Sequence, residues 1–402
     1  MLSLYIHVPF CEKKCSYCNF FVAPSEGFDN IQEYVHKYTD AVIENIHYYA
    51  SHFGKQEIKT IYFGGGTPLY IGKENISKII DSIKSNFNLE YLEEINFELN
   101  PNPFQETLEF IDFVNNRYKD FFRIRFSFGI QTFDDDILQQ TGRGYVFNTL
   151  KLYLKDLVNH KKPNNVFNFD FIAFGKFNKD KNGKKIIWNY DKMEFFKNFV
   201  DSTFADSFSL YTLELFPGSQ MFSNFQPNEE NVFEEFDILK KIIQKGGYKR
   251  YEISNFTLPG KNSIHNMVYW DMGEYLGLGP GASSFLHKKN SSKIFEKDDN
   301  SKGVRFENTK SWEDFFEGNF IDERSLFSMQ EHDFLIEEFF LSLRKSDGVA
   351  NIHKFAPVLE NGYEQKIIEY KNDSLAEYDG KIFYLKDGGM NLYNSIVTDL
   401  LN

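Results

Sequence analysis

The chain has 402 residues, a length that favours two or three domains and allows a sizeable hydrophobic core. Hydrophobic residues make up 42% and charged residues 26%, which is typical of a soluble globular protein. The formal net charge of −13 argues against general binding to nucleic acid or to anionic membranes.

No segment predicts export or membrane insertion. The sequence lacks an uninterrupted apolar run of about 18 residues, so we expect no integral membrane segment. The N-terminal MLSLYIHVPF has neither a basic region nor a cleavage-like site. A secreted protein is expected to use paired cysteines, and this chain has only three, so we expect a cytoplasmic location.

Strands alternate with helices in the first half of the chain. Apolar extended segments predict strands at residues 2–8, 60–63, 95–99, 123–129, 166–174 and 207–213. Helical spacing predicts helices at residues 29–51, 74–86, 106–117 and 191–201, and a further helix from residue 134. This alternation predicts a parallel α/β architecture, either an incomplete barrel or an open doubly wound sheet.

The pattern changes after residue 225. The predicted elements there are a helix at 229–245, a linker or exposed loop at 288–311, a helix at 331–344, a strand or hairpin at 378–386, a glycine turn at 388–389 and a helix at 392–401. We therefore predict three units: 1–225, an extension at 226–310, and a helical domain with a β-wing at 311–402.

Distinctive residues follow the predicted strands of the first half. They are the cysteines after the first strand, GGGT after the second, Glu98, Gln131, Asp170, and Tyr211 with Glu214. In parallel α/β folds the active site gathers at the carboxyl ends of the strands. The sequence therefore predicts that one pocket collects these groups.

All three cysteines lie in one loop, Cys11-x-x-x-Cys15-x-x-Cys18. Disulfides explain this poorly, because the number is odd and such short loops would be strained. A structural zinc site usually has four ligands, so zinc fits only partly. Three thiolates suit a [4Fe–4S] cluster with one iron left open. Packed core cysteines are disfavoured because Glu12, Lys13 and Lys14 share the loop.

Two further features suit a small ligand. Gly64-Gly65-Gly66-Thr67 allows backbone groups to approach a ligand closely, although a plain tight turn would read the same. Glu98 and Asp170 are strand carboxylates that could hydrogen-bond an amine or ribose hydroxyls. Each could instead pair with an arginine; the candidates are Arg123, Arg125 and Arg143.

Two aromatic features suit cofactors. Tyr17 lies between two cysteines, where its ring could shield a cluster and flank a bound adenine. His265-Asn266-x-x-Tyr269-Trp270 combines an imidazole with aromatic rings, which suits an iron porphyrin. A lone histidine is more often structural, and that alternative stays open for His265 and for His7.

The motifs YIHVPFCEKKCSYCNF, YFGGGTP, ELNPNP, RFSFGIQTFDDDIL, NFDFIAFG, HNMVYW and LGLGPGA occur in this order. Together they resemble the radical S-adenosylmethionine (SAM) enzymes related to oxygen-independent coproporphyrinogen III oxidase, and in particular the heme chaperones of that family. The resemblance implies a partial (β/α)6 barrel with a smaller C-terminal helical, winged-helix-like domain. It also implies a [4Fe–4S] cluster on the three cysteines, with SAM chelating the open iron. The SAM site would be lined by Tyr5, Gly65, Gly66, Thr67, Glu98, Gln131, Arg143 and Asp170.

Two features separate the chaperones from the oxidase within this resemblance. The oxidase is expected to carry a further cysteine two residues after the third, where this chain has Phe20. The oxidase also has a substantial segment before the first strand. The HNxxYW motif resembles the corresponding motif of the chaperones, in which the histidine is associated with heme binding. The chain departs from the family after Asp170, where a Lys-rich insertion replaces a proline turn.

The resemblance implies a heme chaperone that passes heme to an acceptor, such as a respiratory-chain protein or another hemoprotein, with His265 at the heme. The alternative is an oxygen-independent coproporphyrinogen III oxidase that decarboxylates propionates, so enzymatic activity stays open. A third possibility is a structural zinc- or iron-binding protein, which would leave the residues at the strand ends unexplained.

Overall fold

A computed structural model describes residues 1–179, 183–296 and 300–401. Twelve strands of the described residues form one sheet. In chain order they are β1 (Leu2–Val8), β2 (Ile58–Gly65), β3 (Glu94–Leu99), β4 (Ile124–Gln131), β5 (Asn165–Ala173), β6 (Ser207–Thr212), β7 (Lys249–Glu252), β8 (Asn255–Thr257), β9 (Tyr275–Leu278), β10 (Ser283–His287), β11 (Gly303–Glu307) and β12 (Phe327–Met329).

Fifteen α-helices accompany the strands in the described part of the chain. They are α1 (Ile31–Phe53), α2 (Lys73–Asn86), α3 (Phe104–Arg117), α4 (Asp135–Gln140), α5 (Phe147–Leu157), α6 (Tyr190–Asp201), α7 (Gln220–Asn224), α8 (Glu229–Lys245), α9 (Ile264–Trp270), α10 (Lys288–Ser291), α11 (Trp312–Phe316), α12 (Glu331–Leu343), α13 (Tyr363–Asn372), α14 (Asp387–Asn391) and α15 (Tyr393–Leu401). None of the helices in the described ranges is long and apolar enough to cross a membrane.

The first six strands are parallel and follow one another in chain order. A doubly wound sheet would reverse its strand order at a switch point, so this order identifies the incomplete barrel. The full order is β7-β8-β6-β5-β4-β3-β2-β1-β9-β10-β11-β12. Strand β9 pairs in parallel with β1, and the outer strands on both sides are antiparallel. The predicted α/β partial barrel is confirmed.

The alternation of side chains in β1 shows how the barrel wall is built. Leu2, Leu4 and Ile6 are fully buried in the core between strands and helices. Ser3, Tyr5 and His7 alternate with them and therefore face the barrel interior. Helix α1 packs on the outside with buried residues at helical spacing, among them Val35, Tyr38, Val42, Ile46 and Tyr49. Apolar and polar faces thus separate into an outer core and a polar interior.

The prediction of a linker or exposed loop at 288–311 is wrong at Lys288–Ser291 and at Gly303–Glu307. Helix α10 begins this segment, and Gly303–Glu307 pairs with β10 on one side and with β12 on the other. Buried Phe306 anchors the strand. The polar flanks hid this short strand from a pattern analysis, and residues 297–299 lie outside the described residues.

A second hydrophobic core lies in the C-terminal region. It extends from Leu335 to Leu400 and includes side chains of α12, α13 and α15. Strands β13 (Ala376–Tyr378) and β14 (Phe383–Leu385) form the predicted hairpin. The glycines at 388–389 lie in α14 and not in a turn. The first core reaches Phe320, and the division at 225 and 310 stays a prediction.

Candidate functional site

The cysteine loop follows β1 and is fixed at both ends. Phe10–Cys11 pairs in parallel with Ala23–Pro24, and the Ala23 amide donates to the Pro9 carbonyl at 2.6 Å. Near the middle, the Met221 amide donates to the Ser16 carbonyl at 2.8 Å. Cys11, Cys15 and Cys18 are unpaired and half-buried. The loop therefore presents three free thiols from an anchored backbone.

The thiols have different surroundings. The hydroxyl of Thr67 donates to Cys11 Sγ at 3.7 Å, and Arg143 Nη1 lies 3.5 Å from Cys15 Sγ. Burial raises the pKa of the Cys11 thiol to about 11, against the lowering effect of the Thr67 contact, and burial also raises the pKa of Cys18. Metal binding requires thiolates, so a metal must displace these protons.

A cavity of about 2620 Å³ opens beside the loop. Its lining includes all three cysteines and most of the predicted SAM-site residues: Tyr17, Gly65, Gly66, Thr67, Glu98, Gln131, Arg143 and Asp170. Tyr211 and Glu214 line it as well. The structure thus brings the residues that follow the strands into one pocket, as their positions in the sequence predict.

The glycine loop fits closely against the cysteine loop. A Cβ added to Gly66 would lie 2.5 Å from the Phe10 carbonyl oxygen and 3.0 Å from Cys11 Sγ. Gly65 has a φ of +103°, and a Cβ there would lie 2.5 Å from the His7 ring. The amides of Gly66 and Thr67 donate to the carbonyls of Val8 and Phe10, each at 2.7 Å. Only glycine at 65 and 66 allows this approach.

Glu98 and Asp170 present carboxylates to the cavity. Tyr62 Oη donates to Glu98 Oε1 at 2.6 Å, and the Gly65 amide donates to Oε2 at 3.1 Å. Burial raises the pKa of Glu98 to about 7, against the hydrogen bond from Tyr62. Asn168 Nδ2 donates to Asp170 Oδ1 at 2.7 Å, and burial raises the pKa of Asp170 as well.

The alternative that these carboxylates pair with arginines is not what the structure shows. Arg123 pairs with Glu94, with its Nε 3.2 Å from Oε2. Arg125 donates to the Lys261 carbonyl at 3.2 Å and to Ser207 at 3.0 Å. Among the described residues, no ion pair involves Glu98 or Asp170, so both keep acceptor capacity for a ligand.

Gln131 and Arg143 meet at the end of β4. Gln131 has a φ of +70°, and the pairing between β4 and β5 shifts register between Gly129 and Gln131. A non-glycine residue in the left-handed region is strained, and such residues cluster at binding sites. Arg143 Nη2 donates to the Gly129 carbonyl and to Asn100 Oδ1, the latter at 3.0 Å.

Tyr5 and His265 do not line the cavity. Tyr5 Oη lies 3.0 Å from His7 Nδ1. The His265 side chain is fully buried, with Nδ1 2.7 Å from Thr60 Oγ1 and Nε2 2.7 Å from Tyr269 Oη. Burial lowers the pKa of His265 to about 3, so the ring is neutral. The structure therefore places His265 inside the barrel and away from the cavity.

Sequence patterns missed part of the cavity wall. Phe222 and Phe233, which are 48% and 52% exposed, line it together with Arg250, Arg344 and Leu392. The last two come from the C-terminal region, and no local pattern predicts such distant contributions. Tyr62 was also missed, although it lies two residues before Gly64 and therefore on the same, interior face of β2.

The three thiols can be tested against the cofactors that the resemblance implies. Three thiols are a suitable set of soft donors for a [4Fe–4S] cluster. They line the cavity together with Gly65 and Gly66, so a small ligand in the cavity would lie next to them. In the described ranges, no three His, Cys, Asp or Glu side chains are grouped so that they could hold a single metal ion. The residues present fit an iron–sulfur cluster with a neighbouring ligand.

Comparisons with known proteins agree with this geometry. Residues 5–184 match the family model of the Radical SAM superfamily. A radical SAM domain implies a [4Fe–4S] cluster and SAM as cofactors.

Relatives extend the similarity beyond this domain. The chain is 29% identical over 372 residues to the heme chaperone HemW of Buchnera aphidicola subsp. Schizaphis graminum, covering 91% of this chain and 86% of the relative. It is 28% identical over 417 residues to the heme chaperone HemW of Lactococcus lactis subsp. lactis, covering 99% and 97%. These likenesses include the C-terminal region that contributes to the cavity wall.

A solved structure shares the whole fold. The structure of coproporphyrinogen III oxidase (HemN) from Escherichia coli superposes with a TM-score of 0.73, covering 100% of this chain and 90% of that chain. The sequence identity is 18%, so this likeness establishes the fold of both the barrel and the C-terminal region and nothing of the activity.

Proposed function

We propose that this protein is a heme chaperone: it binds heme and transfers it to an acceptor protein, on a radical SAM scaffold that holds a [4Fe–4S] cluster and exchangeable SAM. The observation that carries the proposal is the similarity to heme chaperones over nearly the full length of the chain. The acceptor would be another hemoprotein. We place the protein in the cytoplasm, where its three unpaired thiols would stay reduced.

The cluster would be held by Cys11, Cys15 and Cys18, one thiolate to each of three irons. When bound, it supplies a fourth iron that is open to a small chelating ligand. Gly65 and Gly66 carry no side chains, so the backbone of the glycine loop can lie close to the cysteine loop. Arg143 places a positive charge 3.5 Å from Cys15 Sγ.

SAM would occupy the cavity between the cysteine loop and the ends of the strands. Glu98 and Asp170 form no ion pair with any other described residue and can accept hydrogen bonds from an amine or from ribose hydroxyls. Thr67, Gln131 and Tyr17 line the same space, and Tyr17 offers a ring against the adenine. Tyr5, which the resemblance predicts for this site, lies behind the residues that line the cavity and would not touch SAM directly.

The cavity has room for a second ligand. Ligand pockets for one drug-sized molecule measure about 300–1,000 Å³, whereas this cavity has about 2620 Å³. The exposed rings of Phe222 and Phe233 line the part formed by later segments, together with Arg344, whose guanidinium lies 3.7 Å from Glu252. Arg250 also lines this part, but its buried guanidinium is paired with Asp387. A flat apolar macrocycle with acidic edges, such as heme, matches these side chains.

His265 stays a candidate heme ligand only for an opened state of the chain. In the folded structure both ring nitrogens are hydrogen-bonded and the side chain is fully buried. Coordination of heme iron through His265 would require α9 to leave the barrel. A heme titration must therefore distinguish heme bound in the cavity from heme coordinated by His265.

The test is a heme titration of anaerobically purified, cluster-loaded protein, followed by the Soret absorbance. Wild type should bind heme at a saturable site, and His265→Ala should retain its affinity if heme occupies the cavity. Tyr269→Phe is the matched variant, because it frees His265 Nε2 and keeps the imidazole. If His265 ligates heme, His265→Ala should lose binding and Tyr269→Phe should keep it.

Transfer is measured by adding an apo-hemoprotein to the heme-loaded chain and following the spectrum of the acceptor. A wild type that binds no heme would overturn the chaperone proposal. Coproporphyrinogen III, SAM and a reductant test the alternative activity in the same preparation. Formation of protoporphyrinogen would favour the oxidase, while SAM cleavage without product would reject it.

A further inference from the structure

Helix α9, which carries the HNxxYW motif, is fixed to the amino-terminal ends of the barrel strands by buried charged groups. Glu94, at the start of β3, accepts hydrogen bonds from the amides of Ile264 and His265 at 3.1 and 3.2 Å. Arg123 pairs with the same carboxylate and donates to the Asn262 carbonyl at 2.6 Å. The helix thus closes the end of the barrel opposite the cavity.

Both nitrogens of the His265 ring have a hydrogen-bond partner. Thr60 Oγ1 lies 2.7 Å from Ser3 Oγ and 2.7 Å from His265 Nδ1. His265 Nε2 lies 2.7 Å from Tyr269 Oη. A hydroxyl can donate or accept, so the series is satisfied with either tautomer of the ring. The ring is therefore held at both nitrogens.

The held ring packs against the residue that orients Glu98. The His265 and Tyr62 ring centroids lie 4.8 Å apart, and Tyr62 Oη donates to Glu98 Oε1 at 2.6 Å. On the other side, a Cβ at Gly64 would lie 2.7 Å from Tyr62 Cε1 and 3.0 Å from Glu98 Cδ. Tyr62 and Glu98 therefore fill the space above Gly64, and His265 supports the Tyr62 ring.

We infer that His265 and Tyr269 are positioning residues for the cofactor site: they hold the Tyr62 ring so that its hydroxyl aims Glu98 into the cavity. The inference rests on the proposed SAM site. Simple core filling would be served by apolar side chains, whereas this arrangement keeps a hydrogen-bonded series from Ser3 through Thr60 and His265 to Tyr269. The motif would thus act on the cavity from the far side of the barrel.

The test measures SAM affinity of cluster-loaded protein by equilibrium dialysis, with iron content determined for every variant. Tyr269→Phe and Thr60→Val each remove one hydrogen-bond partner of the His265 ring and leave the imidazole itself in place. We expect the Kd for SAM to rise about 5- to 10-fold, the loss that corresponds to one misplaced buried hydrogen bond. Thr60→Ser keeps the hydroxyl and should restore wild-type affinity.

Tyr248→Phe is the control for a purely structural effect. Its hydroxyl donates to the Ala205 carbonyl at 2.7 Å in another buried region, so its loss should lower stability and leave SAM affinity unchanged. Equal SAM affinity in wild type, Tyr269→Phe and Thr60→Val would overturn the inference alone. A wild type that binds no SAM would overturn the proposed function and this inference with it.

The pH dependence of SAM affinity supplies a second readout. The hydrogen bond from Tyr62 favours ionised Glu98, so Tyr62→Phe should move the midpoint upward, and Tyr269→Phe should move it in the same direction by less. Asp170, Tyr5 and Tyr211 also face Glu98 and are unchanged in these variants. If the control Tyr248→Phe shifts the pH midpoint as much as Tyr269→Phe does, the inference is overturned.

Discussion

Glu94 and Glu98 lie on the same face of one strand and at opposite ends of the barrel. Glu94 is fully buried, pairs with Arg123 and accepts two amides of α9. Glu98 has one tyrosine and one amide as partners, forms no ion pair among the described residues, and has a pKa raised to about 7 by burial. One carboxylate therefore fixes the structure, while the other is available to a ligand.

The difference extends to the surroundings of the two residues. At the amino-terminal end, a helix closes the barrel and its polar groups bind one another. At the carboxyl end, glycines replace side chains, Gln131 is strained, and three thiols are unpaired beside the cavity. Polar groups without protein partners at the carboxyl end can bind a ligand but add little to the stability of the fold. The paired groups at the amino-terminal end stabilise the barrel instead.

The largest expected effect is the loss of the cluster in Cys15→Ser. Anaerobically purified protein should lose its bound iron and sulfide to background level, because a serine oxygen is a poor replacement for a thiolate. Ser16→Ala, at the neighbouring position, should keep both. The unfolding free energy of the metal-free protein should change by less than about 0.5 kcal/mol. Retained iron and sulfide in Cys15→Ser would remove this residue from the cluster site.

The next effect compares the two glutamates directly by denaturant unfolding of the metal-free protein. Glu94→Gln leaves the Arg123 charge buried without its partner, so the free energy of unfolding should fall by about 3–5 kcal/mol. Near pH 4, where Glu98 in the folded chain is protonated and resembles the glutamine that replaces it, Glu98→Gln should change the free energy of unfolding by less than about 1 kcal/mol. Near neutral pH the same variant should weaken SAM binding. Equal losses of stability in both variants would mean that the two ends of the barrel do not differ in this way.

The open end of the barrel was largely predictable from the sequence. Its residues follow strong strand patterns, and parallel strands bring their carboxyl ends together, so Glu98, Gln131 and Asp170 could be assigned to one pocket. The alternation of β3 also places Glu94 in the interior. What it cannot show is which carboxylate has partners, because those of Glu94 come from α9 and from Arg123. The contributions of Arg344 and Leu392 depend in the same way on contacts between distant segments.

A smaller effect is expected for Gly66→Ala, which tests how tightly the open end is packed. The new Cβ would meet the Phe10 and Val8 carbonyls at 2.5 and 2.8 Å, so the cysteine loop must shift. Stability should fall by about 1–3 kcal/mol, and the cluster content should fall with it. Gly27→Ala, where no atom lies within 4 Å of the added Cβ, should change neither. Normal cluster content in Gly66→Ala would show that the loop tolerates displacement.

The last expected effect, similar in size to that of Gly66→Ala, is the pH dependence that Glu98 adds to stability. Its pKa is about 7 in the folded chain and about 4.3 in an unfolded chain. Between these values the folded state binds more protons than the unfolded state, so unfolding free energy decreases as pH rises. The contribution of Glu98 is fully present below about pH 4 and is lost as pH passes through about 7.

Glu98→Gln isolates this contribution. The difference in unfolding free energy between wild type and Glu98→Gln should fall by about 1–3 kcal/mol between about pH 5 and about pH 8. Burial also raises the pKa of Glu235 to about 7, but this residue is present in both proteins and cancels in the difference. Urea unfolding of the metal-free proteins across this range is the measurement. A flat difference would mean that Glu98 ionises as readily in the folded chain as in water, and its contrast with the ion-paired Glu94 would then rest on geometry alone.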